Sequence, residues 1–299
     1  MLLFRLLALF TLIGYSTGGY SQIEIPLYPH NIPNSKPGKN LEENKANKQV
    51  DSLAYKVSVP TLRIFPAQNG NGTAVIILPG GGYGVLLTKR EGSDVAREFN
   101  KHGITAIVVK YRLPSDETMN KRELGPIQDA QEALHIVRSR AQEWGINPEK
   151  IGVMGFSAGG HLASTVGTHF QTAYNTTRKD VNLRPDFMIL INPVISFSDT
   201  FGHTGSRDNL LGKNPSPGNI KRFSNEMNIN SQTPPTFLVH ADTDIVVPVE
   251  NSLAFYQQLR KNKIPAEIHI YGRGEHGFLT DPPFEEWFGR VIHWMKKGI

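Results

Sequence analysis

Gly155-Phe156-Ser157-Ala158-Gly159 is where residue types and spacing most directly suggest chemistry. It fits G-x-S-x-G, a pattern in which a serine on a tight strand-to-helix turn projects its hydroxyl above a sheet edge. The glycines admit the strained backbone that such a turn needs. A helix starting beneath the serine favours negative charge on a bound oxyanion. The chemistry would be acyl transfer. Glycine and serine are common, so the pattern carries weight only if the chain also supplies a base, an acid to orient it and a second oxyanion donor.

All three have candidates. One arrangement on open α/β sheets runs nucleophile, acid, histidine along the chain. Asp244 lies in the loop His240–Pro248 and His276 in the loop Gly272–Phe278, in that order after Ser157. Asp242 shares the first loop and competes with Asp244, since either could be an Asx-turn residue. Nearness to the helix start at Val247-Pro248 favours Asp244. The Gly274-Glu275-His276-Gly277 loop singles out His276 among ten histidines. His161 falls in the helix after the serine and reads as structural. Pro79-Gly80-Gly81-Gly82-Tyr83 sits where an HGGG-type loop supplies an oxyanion donor. The candidate N–H groups are those of Gly82, with Gly81 or Tyr83 as alternatives, and of Ala158. Tyr83 is also a candidate substrate contact. The glycine run lacks both phosphate-loop spacings. No His/Asp/Glu group has metal-ligand spacing, so neither metal nor organic cofactor is expected.

These loops need a sheet to carry them. Ala74–Leu78, Ile104–Val109, 151–156, Asp186–Ile191, Thr236–His240 and 266–271 are apolar runs of strand length, suited to strands buried on both faces. Helical patterns intervene at 88–102, 124–143, 249–262 and 284–297, and the segment after Ser157 reads as a helix. The alternation predicts an α/β fold, a mostly parallel sheet with helices on both faces. The candidate residues then fall in loops at the strands' C-terminal ends, where sites on such sheets form. Tyr55–Val59 alternates like an edge strand, and Pro60 and Pro66 suit an edge. Residues 196–233 lack strand character, with helix only near 218–227, and are expected to form a lid-like insertion.

The chain has 299 residues, enough for one large domain over 55–299. Its net charge of +5 is mild and spread, with no basic run, so no nucleic-acid partner is expected. Met1 to Ile13 is apolar around Arg5, and small and polar residues follow to Gln22. This predicts a signal peptide over 1–22 and a secreted or periplasmic protein. The apolar core is too short to span a membrane, and no membrane association is expected after cleavage. Residues 23–54, polar and proline-containing, are expected to be an extended or poorly ordered arm. The absence of cysteine excludes disulfides and a thiol nucleophile.

Over about residues 55–297 the chain resembles the α/β-hydrolase superfamily. More narrowly, it resembles small secreted esterases near the acetyl-xylan and feruloyl esterase group. The residues that carry this are Pro79–Tyr83, Glu91-Gly92, Lys110–Pro114, Gly155–Ala163, Ser206-Arg207 with Asn209–Gly212, His240–Glu250 and Gly274–Phe278. The resemblance implies a triad of Ser157, Asp244 and His276 acting on small acyl esters of an acylated carbohydrate such as xylan. A general carboxylesterase and a serine peptidase of the same fold are the alternatives. Position 79 is Pro where the hormone-sensitive-lipase branch has His, and that branch's large N-terminal cap has no counterpart, which argues for a shallow, open site. Glu91, Tyr111 and Arg112 match family positions, with Glu91 or Asp116 as possible partners of Arg112.

Overall fold

The computed structural model describes residues 22–47, 51–175, 182–278 and 280–298. The chain runs β1 (Ile23–Pro26), β2 (Glu43–Asn47), β3 (Asp51–Tyr55), β4 (Thr61–Phe65), β5 (Ala74–Leu78) and β6 (Val85–Leu87). A π-helical turn over 89–93 leads into α1 (Asp94–Lys101), then β7 (Thr105–Lys110), α2 (Gly125–Ser139), β8 (Ile151–Phe156) and α3 (Ser157–His169). There follow β9 (Met188–Ile191), α4 (Thr204–Leu211), α5 (Pro217–Arg222), β10 (Thr236–Ala241), α6 (Glu250–Lys261), β11 (Ala266–Tyr271) and α7 (Phe284–Lys296).

Eight strands make the main sheet in the order β1-β4-β7-β5-β8-β9-β10-β11. From β7 to β11 the pairings are parallel; β4 and β1 extend it antiparallel. Every residue of β5, β8, β9 and β10 is buried, as expected for strands covered on both faces. One apolar cluster fills the face under α2, α3 and α6, and another the face under α1 and α7. This is the α/β-hydrolase fold that the alternating pattern and the resemblance predict.

The N-terminal segment differs from the expectation. Residues 1–21 of the expected signal peptide lie outside the described residues, and the described part of 23–54 is not an extended arm. β1 pairs with β4, while β2, β3 and β6 form a separate three-stranded antiparallel sheet. Tyr55 closes β3 instead of opening an edge strand. The prolines bracket β4, with Pro60 before it and Pro66 after it, so the main-sheet strand is 61–65.

A buried ion pair explains why so polar a segment is held. Arg112 and Asp129 are both fully buried, and Arg112 Nη2 donates to Asp129 Oδ1 at 2.7 Å while Nε donates to Oδ2 at 2.9 Å. This replaces the partners considered from sequence: Glu91 is engaged elsewhere, and Asp116 pairs with Arg122. Arg112 Nη2 also donates to Gly125 O at 3.2 Å, Nη1 reaches the N-terminal segment at Pro33 O (2.7 Å) and Ser35 Oγ (3.1 Å), and the Tyr28 hydroxyl donates to Asp129 (3.1 Å). A buried guanidinium needs all its donors satisfied, and the segment supplies the acceptors that the core lacks. Removing one member of a buried pair strands the other. The Asp129→Ala variant is expected to lose about 3–5 kcal/mol of unfolding free energy in a denaturant titration.

Candidate active site

Parallel strands deliver their following loops to one edge of the sheet. β8 delivers Ser157, β10 the loop with Asp244, β11 the loop with His276, and β5 the glycine loop. Ser157 is the first residue of α3 and takes φ 50°, a left-handed conformation that non-glycine residues seldom adopt. The flanking glycines make the turn feasible. A Cβ on Gly155 would collide with the Gly159 carbonyl, and a Cβ on Gly159 with the Leu78 carbonyl. The turn therefore presses α3 directly onto β8 and β5, and the serine side chain is the part left over the sheet edge.

Three of the sequence candidates meet there. His276 Nε2 lies 2.8 Å from Ser157 Oγ, and His276 Nδ1 lies 2.6 Å from Asp244 Oδ2. A carboxylate only accepts, so Nδ1 carries the proton and Nε2 is left to accept from the serine hydroxyl. Asp244 Oδ1 accepts the N–H groups of Val246 and Val247, both at 2.9 Å. His240 Nε2 lies 3.4 Å from Asp244 Oδ2 and donates to Val247 O at 3.0 Å. Burial would raise the Asp244 carboxyl pKa, but the hydrogen bonds from His240 and His276 outweigh it and hold the group well below the usual carboxylate range. Asp242, the competitor, is exposed, and its N–H caps the end of β11 at Tyr271 O. The geometry separates the two aspartates where spacing could not.

The glycine loop stands against the serine. Gly81, Gly82 and Tyr83 all take positive φ, at 124°, 61° and 62°. A Cβ on Gly80 would stand 3.0 Å from Ser157 Cβ. Ala158 is in the first turn of α3, where N–H groups lack intrahelical acceptors. α4 braces the loop from outside, Asn209 Nδ2 donating to Gly82 O at 2.8 Å. The 196–233 segment thus reaches the site, a role that its composition alone did not reveal. His203, at the N-terminus of α4, sits where burial and then the charge of His276 lower its pKa.

Tyr83 does not face a substrate. Its ring is buried and its hydroxyl lies 2.8 Å from His161 Nδ1. His161 Nε2 donates to Phe223 O at 2.7 Å, so Nδ1 accepts from Tyr83, and burial lowers the His161 pKa to about 3. The pair is neutral support for the loop. Two residues quoted for the resemblance have the same office: Tyr111 donates to Pro79 O at 2.7 Å, and Glu91 Oε2 accepts from Gly80 N at 2.7 Å. No metal-holding group of three or more His, Cys, Asp or Glu occurs among the described residues.

The model of the BD-FAE family matches residues 63–259, well over half of the chain. The chain belongs to the BD-FAE family. It is 37% identical over 229 residues to an acetylxylan esterase of Xylanibacter ruminicola, covering 75% of this chain and 44% of that protein. It is 36% identical over 220 residues to endo-1,4-beta-xylanase B of Butyrivibrio fibrisolvens, covering 72% of this chain and 34% of that protein. The chain spans less than half the length of these two relatives. Among solved structures, an acetyl ester-xyloside bifunctional hydrolase from Caldicellulosiruptor lactoaceticus superposes with TM-score 0.77 at 35% identity, covering 92% of this chain and 96% of that one. This BD-FAE chain therefore shares its fold along most of its length with that hydrolase.

The depressed Asp244 pKa has a consequence for stability. Its folded-state value lies below the unfolded value of about 3.9, so its contribution is fully present above that pH and is lost as pH falls below it. Between pH 6 and pH 3, wild type is expected to lose more unfolding free energy than Asp244→Asn, measured by denaturant unfolding at each pH. Equal losses would contradict the assignment.

Proposed function

We propose that this chain is a serine carboxylic-ester hydrolase that removes acetyl or other small acyl groups from plant polysaccharide of the xylan type or from its oligosaccharides. The observation that carries the chemistry is the continuous hydrogen-bond chain Asp244–His276–Ser157, at 2.6 and 2.8 Å. In this reading Ser157 Oγ attacks the ester carbonyl as His276 Nε2 takes its proton. Asp244 holds the imidazole in the right tautomer and stabilises its charged form. The N–H groups of Gly82 and Ala158, with Gly81 beside them, receive the oxyanion; one such donor is typically worth about 100- to 1000-fold in rate. His276 then protonates the leaving sugar oxygen, and a water activated by His276 releases the acid. The residues alone support acyl transfer. The xylan-type substrate is supported by what the acetylxylan esterase and the acetyl ester-xyloside hydrolase are named for.

The apolar leader supports a secreted or periplasmic location, which suits a polymeric substrate. Among the described residues, no helix is long and apolar enough to cross a membrane.

Acetate release from acetylated xylan, run beside aryl acetates, feruloyl esters and peptide anilides, tests the reading. Xylan deacetylation above the aryl ester background is expected. Aryl acetates alone would make the protein a general carboxylesterase, and anilides alone a peptidase. Ser157→Ala is expected to lower kcat on the order of a million-fold, and Asp244→Asn about ten-thousand-fold, while Asp242→Asn stays close to wild type. Unchanged hydrolysis by Ser157→Ala would refute the proposal.

A further inference from the structure

Two loops have to keep a fixed separation for the proposed reaction: the glycine loop after β5 and the loop carrying His276 after β11. One guanidinium touches both sides. Arg90 Nη1 donates to Gly277 O, the carbonyl just after His276, at 3.1 Å. Its Nη2 donates to Glu91 Oε1 at 3.0 Å. The other oxygen of that carboxylate, Oε2, accepts the Gly80 N–H at 2.7 Å, and Gly80 is the residue packed against Ser157 Cβ. Glu91 itself is only 4% exposed. Arg90 is held in turn by the N-terminal segment: Asp51, at the start of β3 and also buried, accepts the N–H groups of Lys89 (2.9 Å) and Arg90 (3.1 Å) through Oδ1.

We propose that Asp51, Arg90 and Glu91 form a strut that fixes the glycine loop relative to the His276 loop, and that Glu91 is thereby a positioning residue for ester hydrolysis. The proposal rests on the serine-hydrolase reading above. Backbone donors stabilise a developing oxyanion only if they are held in place before the charge appears. A glycine-rich loop has little side-chain packing to hold it. Here a buried carboxylate pins the first N–H of the loop, and a cation carries that constraint to the histidine. Burial raises the Glu91 carboxyl pKa, and the Arg90 cation and the Gly80 N–H oppose that rise without cancelling it. Arg90 and the Gly80 N–H are thus the groups that favour the charged form. Because Arg90 forks to two acceptors, a lysine cannot replace it in kind. Asp51 lies outside the span of the family model, which begins at residue 63, so the N-terminal sheet becomes part of what sets the site.

Steady-state kinetics on an aryl acetate, with active serine counted by fluorophosphonate titration, test the strut. Glu91→Ala is expected to lower kcat per labelled serine about 100-fold, the scale of a lost oxyanion donor, with KM nearly unchanged. Glu91→Gln keeps an oxygen for the Gly80 N–H and is expected to recover about tenfold of that loss. A side chain that merely packs would lower the labelled fraction and leave kcat per labelled serine alone. If Glu91→Ala does not fold, Arg90→Lys decides. It is expected to lose about tenfold in kcat at constant KM, on the scale of one lost charge-assisted hydrogen bond. Wild-type kcat per labelled serine in the folded variant, or glutamine no better than alanine, would overturn the strut. Failure of the wild-type chain to cleave the aryl acetate would instead overturn the hydrolase reading itself.

Discussion

A serine held at φ 50° between β8 and α3 is the constraint on which this molecule is organised. A left-handed non-glycine residue of this kind costs on the order of 1–3 kcal/mol, and it persists only where its surroundings over-determine it. They do so here through contact distance. Gly155 and Gly159 let α3 lie directly on β8 and β5, and any side chain at either position would force them apart. The Ser157 carbonyl is tied down as well, accepting the Val194 N–H at 3.0 Å just beyond β9. The central strands are fully buried, so the whole core resists relaxation of the turn.

Around that turn, the buried charges that bear on the site each meet a partner. Asp244 meets His276 and His240, Glu91 meets Arg90 and the Gly80 N–H, and Asp129 meets Arg112. Each would be prohibitive alone in a low-dielectric interior. Together they fix loops that carry few apolar anchors of their own. The site is thus held by directional bonds at its rim and by packing beneath.

What was legible in the sequence follows from this division. The buried strands are continuous apolar runs, and the elbow is a local pattern, so both could be read without knowing the fold. Ser157, Asp244 and His276 were candidates because each follows a readable strand and their order fits a known arrangement. Position 83 was misread because a tyrosine beside a glycine loop carries no mark of which way its ring turns. The N-terminal segment was misread for another reason. β1 and β3 are held by pairing with β4 and β6, and by Tyr28, Pro33 and Ser35 meeting the Arg112–Asp129 pair. Those partners lie roughly 30 to 100 positions away, so neither periodicity nor composition within the segment could register them.

The same reasoning bears on why an N-terminal sheet should accompany this site at all. In the hydrolase branch with a large cap, residues preceding the core cover the pocket. Here the described part of the stretch before the core pairs into the two sheets, β1 with β4 and β3 with β6. Part of it satisfies the donors of Arg112, which follows β7, and part fixes the turn at Lys89–Arg90, which follows β6. Both attachments fall on segments that adjoin the glycine loop: Tyr111 bonds to Pro79, and Glu91 bonds to Gly80. The segment before residue 63 therefore braces the glycine loop through Arg112 and through the Lys89–Arg90 turn. Rigidity is thus supplied to the glycine loop by directional bonds from distant elements, where its own residues offer little side-chain packing.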